Sequence, residues 1–152
     1  MTIVKDPSDA PLRAYLGYGL KRAFNTIQTD LNETLRPHGL RMISFSALSL
    51  IGAHERLRQS KLAELLTIEP PNLVVILDEL ERAGLIEKTR AMADRRAYEI
   101  SLTAEGTKVL ARARKDVEGH DRRMTRAINA EDRAALVRML EQVERQGSRE
   151  HD

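Results

Sequence analysis

The chain has no cysteine and no tryptophan, and only 3% of its 152 residues are aromatic. Without cysteine there can be no disulfide framework, thiolate zinc site, iron–sulfur ligation or thiol-based redox sensing. Long apolar runs are missing too: no stretch approaches the roughly 18 unbroken apolar residues of a membrane helix. Residues 1–11 put charges and prolines where a signal peptide needs an apolar run. A soluble, cytoplasmic protein with no membrane partner is the expectation. An excess of one charge is also lacking. The 25 Lys and Arg stand against 23 Asp and Glu, and the resulting +2 makes no electrostatic case by itself for a polyanionic partner.

What is present suffices for a core, since 41% of the residues are hydrophobic and a domain of roughly 150 residues buries about 68–70% of its unfolded surface. Leu16, Leu20, Phe24, Ile27, Leu31 and Leu35 recur at helical spacing and predict one helix over 11–36, broken by Pro37 and Gly39. A second helix is expected over 44–53, and Ser60 reads as the N-cap of a third over 61–66. Glu69-Pro70-Pro71 opens a fourth, because proline fits a first turn whose N–H groups lack partners; it should stop at Gly84. The period then changes. Residues 85–90 and 98–102 read as strands, with Tyr98, Ile100 and Leu102 facing inward and 91–97 as the hairpin loop. Thr103 caps a long helix over 104–128, and Asn129 caps a last one over 130–146, before a polar, frayed tail from Gly147.

A short helix, a turn, a second helix and a hairpin make a winged helix-turn-helix. The fold class is therefore mainly α with a small β-hairpin wing. One short segment departs from the even charge: 88–96 carries Lys88, Arg90, Arg95 and Arg96 against Asp94 alone. There is no glycine-rich phosphate loop, nucleophile elbow or cysteine nucleophile, so an enzyme has little to stand on. His38, His54, His120 and His151 show no paired ligand spacing, so neither a metal nor another cofactor is expected.

The run D-R-R-A-Y-E-I-S-L-T, Asp94 to Thr103, resembles the wing signature of the MarR family of bacterial transcriptional regulators, in which Asp94, Arg96, Leu102 and Thr103 fall in place. L-A-E-L-L at 62–66 and L-D-E-L-E-R-A-G-L-I-E-K at 77–88 support it, and the resemblance extends over 12–143. It implies a single domain over 1–152, with a DNA-binding winged helix-turn-helix at 44–103 between dimerisation helices at 11–40 and 104–146. Leftover apolar stripe on those helices agrees with a homodimer, hence a pseudo-palindromic operator in double-stranded DNA. The regulator so implied is a repressor.

Within that frame, Arg95 and Arg96 at the hairpin tip suit the DNA backbone or the narrow minor groove, with Arg90 in the same basic cluster. Asp94 is expected to pair with a neighbouring arginine and shape the loop. At the start of the recognition helix, Asn72 can pair with a base edge or a phosphate, while Val74 and Val75 offer only apolar contact to a thymine methyl. The family's arginine about where Val75 stands is missing. The alternative reading is that the two valines belong to the core, with Asn72 merely solvated. Ser60 and Lys61 resemble phosphate-positioning residues, though a cap and a solvated lysine look the same.

Family members often release DNA on binding a small organic molecule, and four of the five aromatics lie in the first two predicted helices beside several cations. Tyr15, Tyr18, Arg22, His38, Arg41 and Met42 are the candidates for an aromatic acid, a phenolic or an acyl thioester. The alternative function is a dimeric interaction or ligand-binding adaptor that no longer binds DNA.

Overall fold

The stripe from Leu16 to Leu35 is helical, but its helix does not reach back to residue 11 unbroken. In a computed structural model, which describes residues 8–149, a short α1 (Ala10–Arg13) is separated from α2 (Leu16–Leu35) by Tyr15, whose backbone is extended at φ −94°, ψ 123°. The Tyr18 hydroxyl donates to Asp9 at 2.7 Å, and Arg13 pairs with the same carboxylate at 3.0 Å, so the break is held by local polar ties. Apolar periodicity carries no trace of such ties. A 3-10 turn (Arg36–His38) and Gly39, left-handed at φ 69°, end the segment.

The next helix, α3 (Met42–Ala53), begins two residues before the expected Ser44. Asn32 Oδ1 accepts the Met42 N–H at 2.7 Å, and Ser44 Oγ accepts the Arg41 N–H at 2.8 Å, so Ser44 caps from inside the first turn. A strand of two residues, β1 (Leu57–Arg58), follows. It sets Arg58 in the extended conformation from which α4 (Gln59–Leu66) starts. Ser60 therefore lies within the first turn and is not the N-cap, a correction that follows from a strand too short to show a period. As expected, α5 (Pro70–Arg82) opens on its two prolines and gives way to Gly84 at φ 71°.

Two further strands, β2 (Ile86–Arg90) and β3 (Tyr98–Leu102), pair antiparallel from Ile86↔Leu102 to Arg90↔Tyr98. Leu57 and Arg58 pair with Ile100 and Glu99, so the sheet has the order β1-β3-β2, three strands where a hairpin was expected. Tyr98, expected to face inward, is exposed: it sits at the end of the register beyond the core, with the Arg90 guanidinium 5.8 Å from its ring centroid. Helix α6 (Ala104–Met124) starts where Thr103 Oγ1 accepts the Gly106 N–H at 2.9 Å and donates to the Gly84 carbonyl at 2.6 Å. A Cβ on Gly106 would stand 1.9 Å from the Leu85 carbonyl oxygen, so only glycine permits this approach.

The chain divides into two compact units, one up to Val117 and one from Glu118 on. In the first, Leu35, Leu48, Ile51, Leu62, Leu73, Leu77 and Ile100 are fully buried, and Val109, Leu110 and Ala113 of α6 join them. Burial of each large aliphatic side chain contributes about 1.5–3 kcal/mol. In the second unit α6 ends at Met124 instead of 128, because Ile128 N–H bonds back to Thr125 O in a turn. Asn129 Oδ1 then accepts the Asp132 N–H at 2.8 Å and caps α7 (Ala130–Arg149). That helix outlasts the expected 146 with Gly147 inside it, at a cost of about 1 kcal/mol relative to alanine. His151 and the rest of the tail beyond 149 lie outside the described residues. Among the described residues no helix is long and apolar enough to cross a membrane.

Candidate nucleic-acid interface

Leu73, Ile76, Leu77 and Leu80 of α5 are buried, which turns the residues of opposite phase outward. Asn72 is exposed, and Val74 and Val75 are 42% and 58% exposed, which excludes the core placement of the valines. One turn further on, the acidic residues of α5 are engaged. Arg41 reaches Glu79 at 2.9 Å, and Lys88, only 17% exposed, reaches Asp78 at 2.7 Å and Glu81 at 3.1 Å. The bond from Lys88 holds the Asp78 carboxyl below its ordinary 3.8. Burial pulls the Lys88 ammonium down, but the hydrogen bonds to Asp78 and Glu81 outweigh it and leave it above 10.5. Lys88 thus clamps β2 to α5 and drops out of the basic cluster.

The wing loop closes on itself. Ala91 N–H donates to Ala97 O at 2.9 Å, and Ala97 N–H to Asp94 O at 3.0 Å. Asp94 Oδ1 accepts the Arg96 backbone N–H at 2.9 Å, so it shapes the loop through an amide and not through the arginine pair expected from the sequence. Arg90 Nη1 donates to Arg95 O at 3.3 Å while its guanidinium lies over Tyr98. The guanidinium groups of Arg95 and Arg96 are exposed and have no partner among the described residues. A cavity of about 350 Å³ lies between the wing and the first turns of α4 and α5, with Arg58, Ser60, Pro70, Arg96 and Tyr98 in its wall. Ser60 and Arg96 meet there. Arg58 was missed by sequence reasoning, since its strand is two residues long. Lys61 pairs with Glu64 at 2.8 Å on the exposed surface, a bond worth about 0–1 kcal/mol that a stronger anion can displace.

The six effector candidates are not gathered in one place. Tyr15 is exposed, and Tyr18 is committed to Asp9, a bond that holds its hydroxyl above the ordinary 10.0. Arg22 borders an open groove on α2 with Thr26, Asp30 and Glu33. His38 bonds Asp116 at 2.7 Å, and Arg41 bonds Glu79. Of the six, only Met42 lines an apolar cavity of about 590 Å³ between α2, α3 and α4, with Phe24, Phe45, Leu50 and Leu66. Ser49 also lines it, and its Oγ is buried without a hydrogen-bond partner. No apolar period could have flagged that serine. Among the described residues no group of three or more His, Asp or Glu could hold a metal ion.

An outward recognition helix, a short helix before it and a wing carrying unpaired arginines define a winged helix-turn-helix protein. A family model described as the MarR family matches residues 40–98. The chain is 36% identical to a transcriptional repressor, CouR, solved bound to a 23-mer DNA duplex; the match covers 92% of this chain and 99% of that one, with a TM-score of 0.87. It is 28% identical to a MarR-family transcriptional regulator from Rhodococcus sp. RHA1, covering 84% and 91%, with a TM-score of 0.80. An HTH-type transcriptional repressor of Mycobacterium tuberculosis is 28% identical over 135 residues, 89% of this chain and 94% of that protein. The chain belongs to the MarR family, a family of transcription regulators and not of enzymes.

Proposed function

We propose that this chain is a homodimeric, cytoplasmic repressor that holds a pseudo-palindromic operator through α5 and the wing and releases it when a small organic effector binds. The observation that carries the reading is the convergence of Arg58, Ser60 and Arg96 on one cavity beside the outward face of α5. Two guanidinium groups and a hydroxyl facing one cavity are what a phosphate backbone requires. Arg95 and Arg96 enter the minor groove or grip its edge, Asp94 holds their loop, and Asn72, Val74 and Val75 meet base edges in the major groove. Ser60 and Lys61 position phosphates, and Arg90 keeps N–H groups free for one while stacked on Tyr98. The relative solved on a DNA duplex supports the DNA-binding reading.

Dimerisation rests on apolar faces that each unit leaves exposed. Leu16, Phe24 and Ile27 of α2 belong to the first, and Leu136, Val137, Met139 and Val143 of α7 to the second. Residues 11–40 and 104–146 would supply the interface on either side of 44–103, with half-sites about 10 base pairs apart. For the effector, the cavity with Met42 and Ser49 has the apolar wall and the single unsatisfied hydroxyl that suit an aromatic acid, a phenolic or the acyl end of a thioester. The test is a titration of the protein against DNA upstream of its own gene at two salt concentrations, beside unrelated DNA of equal length. Specific binding that falls steeply with salt supports the reading. A folded protein with no preference between the two DNAs overturns it and favours an adaptor.

A further inference from the structure

The outward face of the first two turns of α5 has an unusual composition for a surface that meets DNA. Pro71, Asn72, Val74 and Val75 are all exposed, and only Asn72 can hydrogen-bond a base edge. The acidic side chains of the helix, Asp78, Glu79 and Glu81, lie further on and are held by Lys88 and Arg41. Two β-branched apolar side chains at 42% and 58% exposure carry a solvation cost on the free protein that an apolar partner removes. In the major groove one base offers such a partner: thymine, through its C5-methyl group.

We infer that this regulator reads its operator chiefly through thymine methyl groups, packed against Val74 and Val75, at one or two positions in each half-site. The inference rests on the DNA-binding reading above and gives it a base preference. Charge complementarity around the pair names DNA as the occupant: Arg58 and Arg96 border the cavity at the same end of α5, and Arg95 stands beside them in the loop. A valine side chain is also stiff at χ1, so little rotamer freedom is lost when a methyl packs on it. Apolar packing carries no counterion release. The preference for thymine should therefore be the same at low and high salt, while total affinity falls.

The experiment uses the full-length protein and a duplex selected by it from a randomised pool. Binding is measured to that duplex and to versions in which single thymines are replaced by deoxyuridine, which keeps the Watson–Crick pair and removes only the methyl. The expected result is a loss of about fourfold at each contacted position, equivalent to about 0.8 kcal/mol for one buried methyl-sized group, with no loss elsewhere. In Val75→Ala, folded as judged by its melting temperature, the thymine-to-deoxyuridine ratio should fall towards one at the position Val75 covers. Arg96→Ala should bind more weakly overall and keep the ratio. Equal affinity for thymine and deoxyuridine duplexes at every position overturns the inference while leaving the regulator reading intact. A ratio unchanged by Val75→Ala and by Val74→Ala does the same. A pool that yields no selected duplex overturns both.

Discussion

Single side chains divide here into those held by the fold and those left free, and the division sets what a substitution should do. Arg96 has no partner to lose, so Arg96→Ala should leave the melting temperature unchanged, weaken DNA binding, and lower the slope of log affinity against log salt by about 1. Ser49 is the reverse case. Its buried hydroxyl lacks a partner, so Ser49→Ala should stabilise the free protein by about 1 kcal/mol in chemical denaturation, and it should weaken any effector that fills the adjoining cavity. Gly106 tolerates no side chain, because a Cβ would meet the Leu85 carbonyl at 1.9 Å. Gly106→Ala should cost about 1–3 kcal/mol in the same measurement. Of these three residues only Arg96 was legible in the sequence, through the spacing of Asp94, Arg96, Leu102 and Thr103. A buried orphan hydroxyl and a backbone contact between distant segments arise in three dimensions and leave no local pattern.

Elements were legible where one apolar period ran long enough. The stripe of α2, the prolines that open α5, and the alternation of β3 each signalled their element. Errors fell on boundaries set by polar side chains, at the break beside Tyr15 and the early start of α3 on Asn32 and Ser44, and on the start of α4 at Gln59, which follows a strand too short to show a period. The tie between β2 and α5 was hidden for a related reason, since Lys88 reads as one more wing cation until its partners are seen. Its stability contribution has a definite pH window. Asp78 has a lowered folded pKa, so its share is present above the unfolded value and lost as pH falls through the folded one, below 3.8. Lys88 has a raised one, so its share is present below 10.5 and lost as pH rises through the folded value. Lys88→Met should therefore shift the melting temperature by a constant amount between about pH 5 and 9, with the difference from wild type closing in more acidic and more alkaline buffer.

For the whole molecule, the apolar faces of α2 and α7 suggest a protein whose stability depends on its own concentration. Sedimentation should give a dimer, and the melting temperature should rise with protein concentration; a monomer with a constant melting temperature would count against the interface at 11–40 and 104–146. The sequence announced surplus stripe on these helices but not its extent, because burial is a property of the assembled core. The wing bears on the molecule in a different way. Its loop is closed by bonds among Ala91, Asp94, Arg96 and Ala97, with one more from Arg90 at the end of β2. Residues at the tip, such as the almost fully solvated Met92, therefore answer to no neighbour in the core. Mutational drift there is uncoupled from folding, so a lineage carrying this scaffold can change what its tip touches while the same buried leucines go on folding the chain.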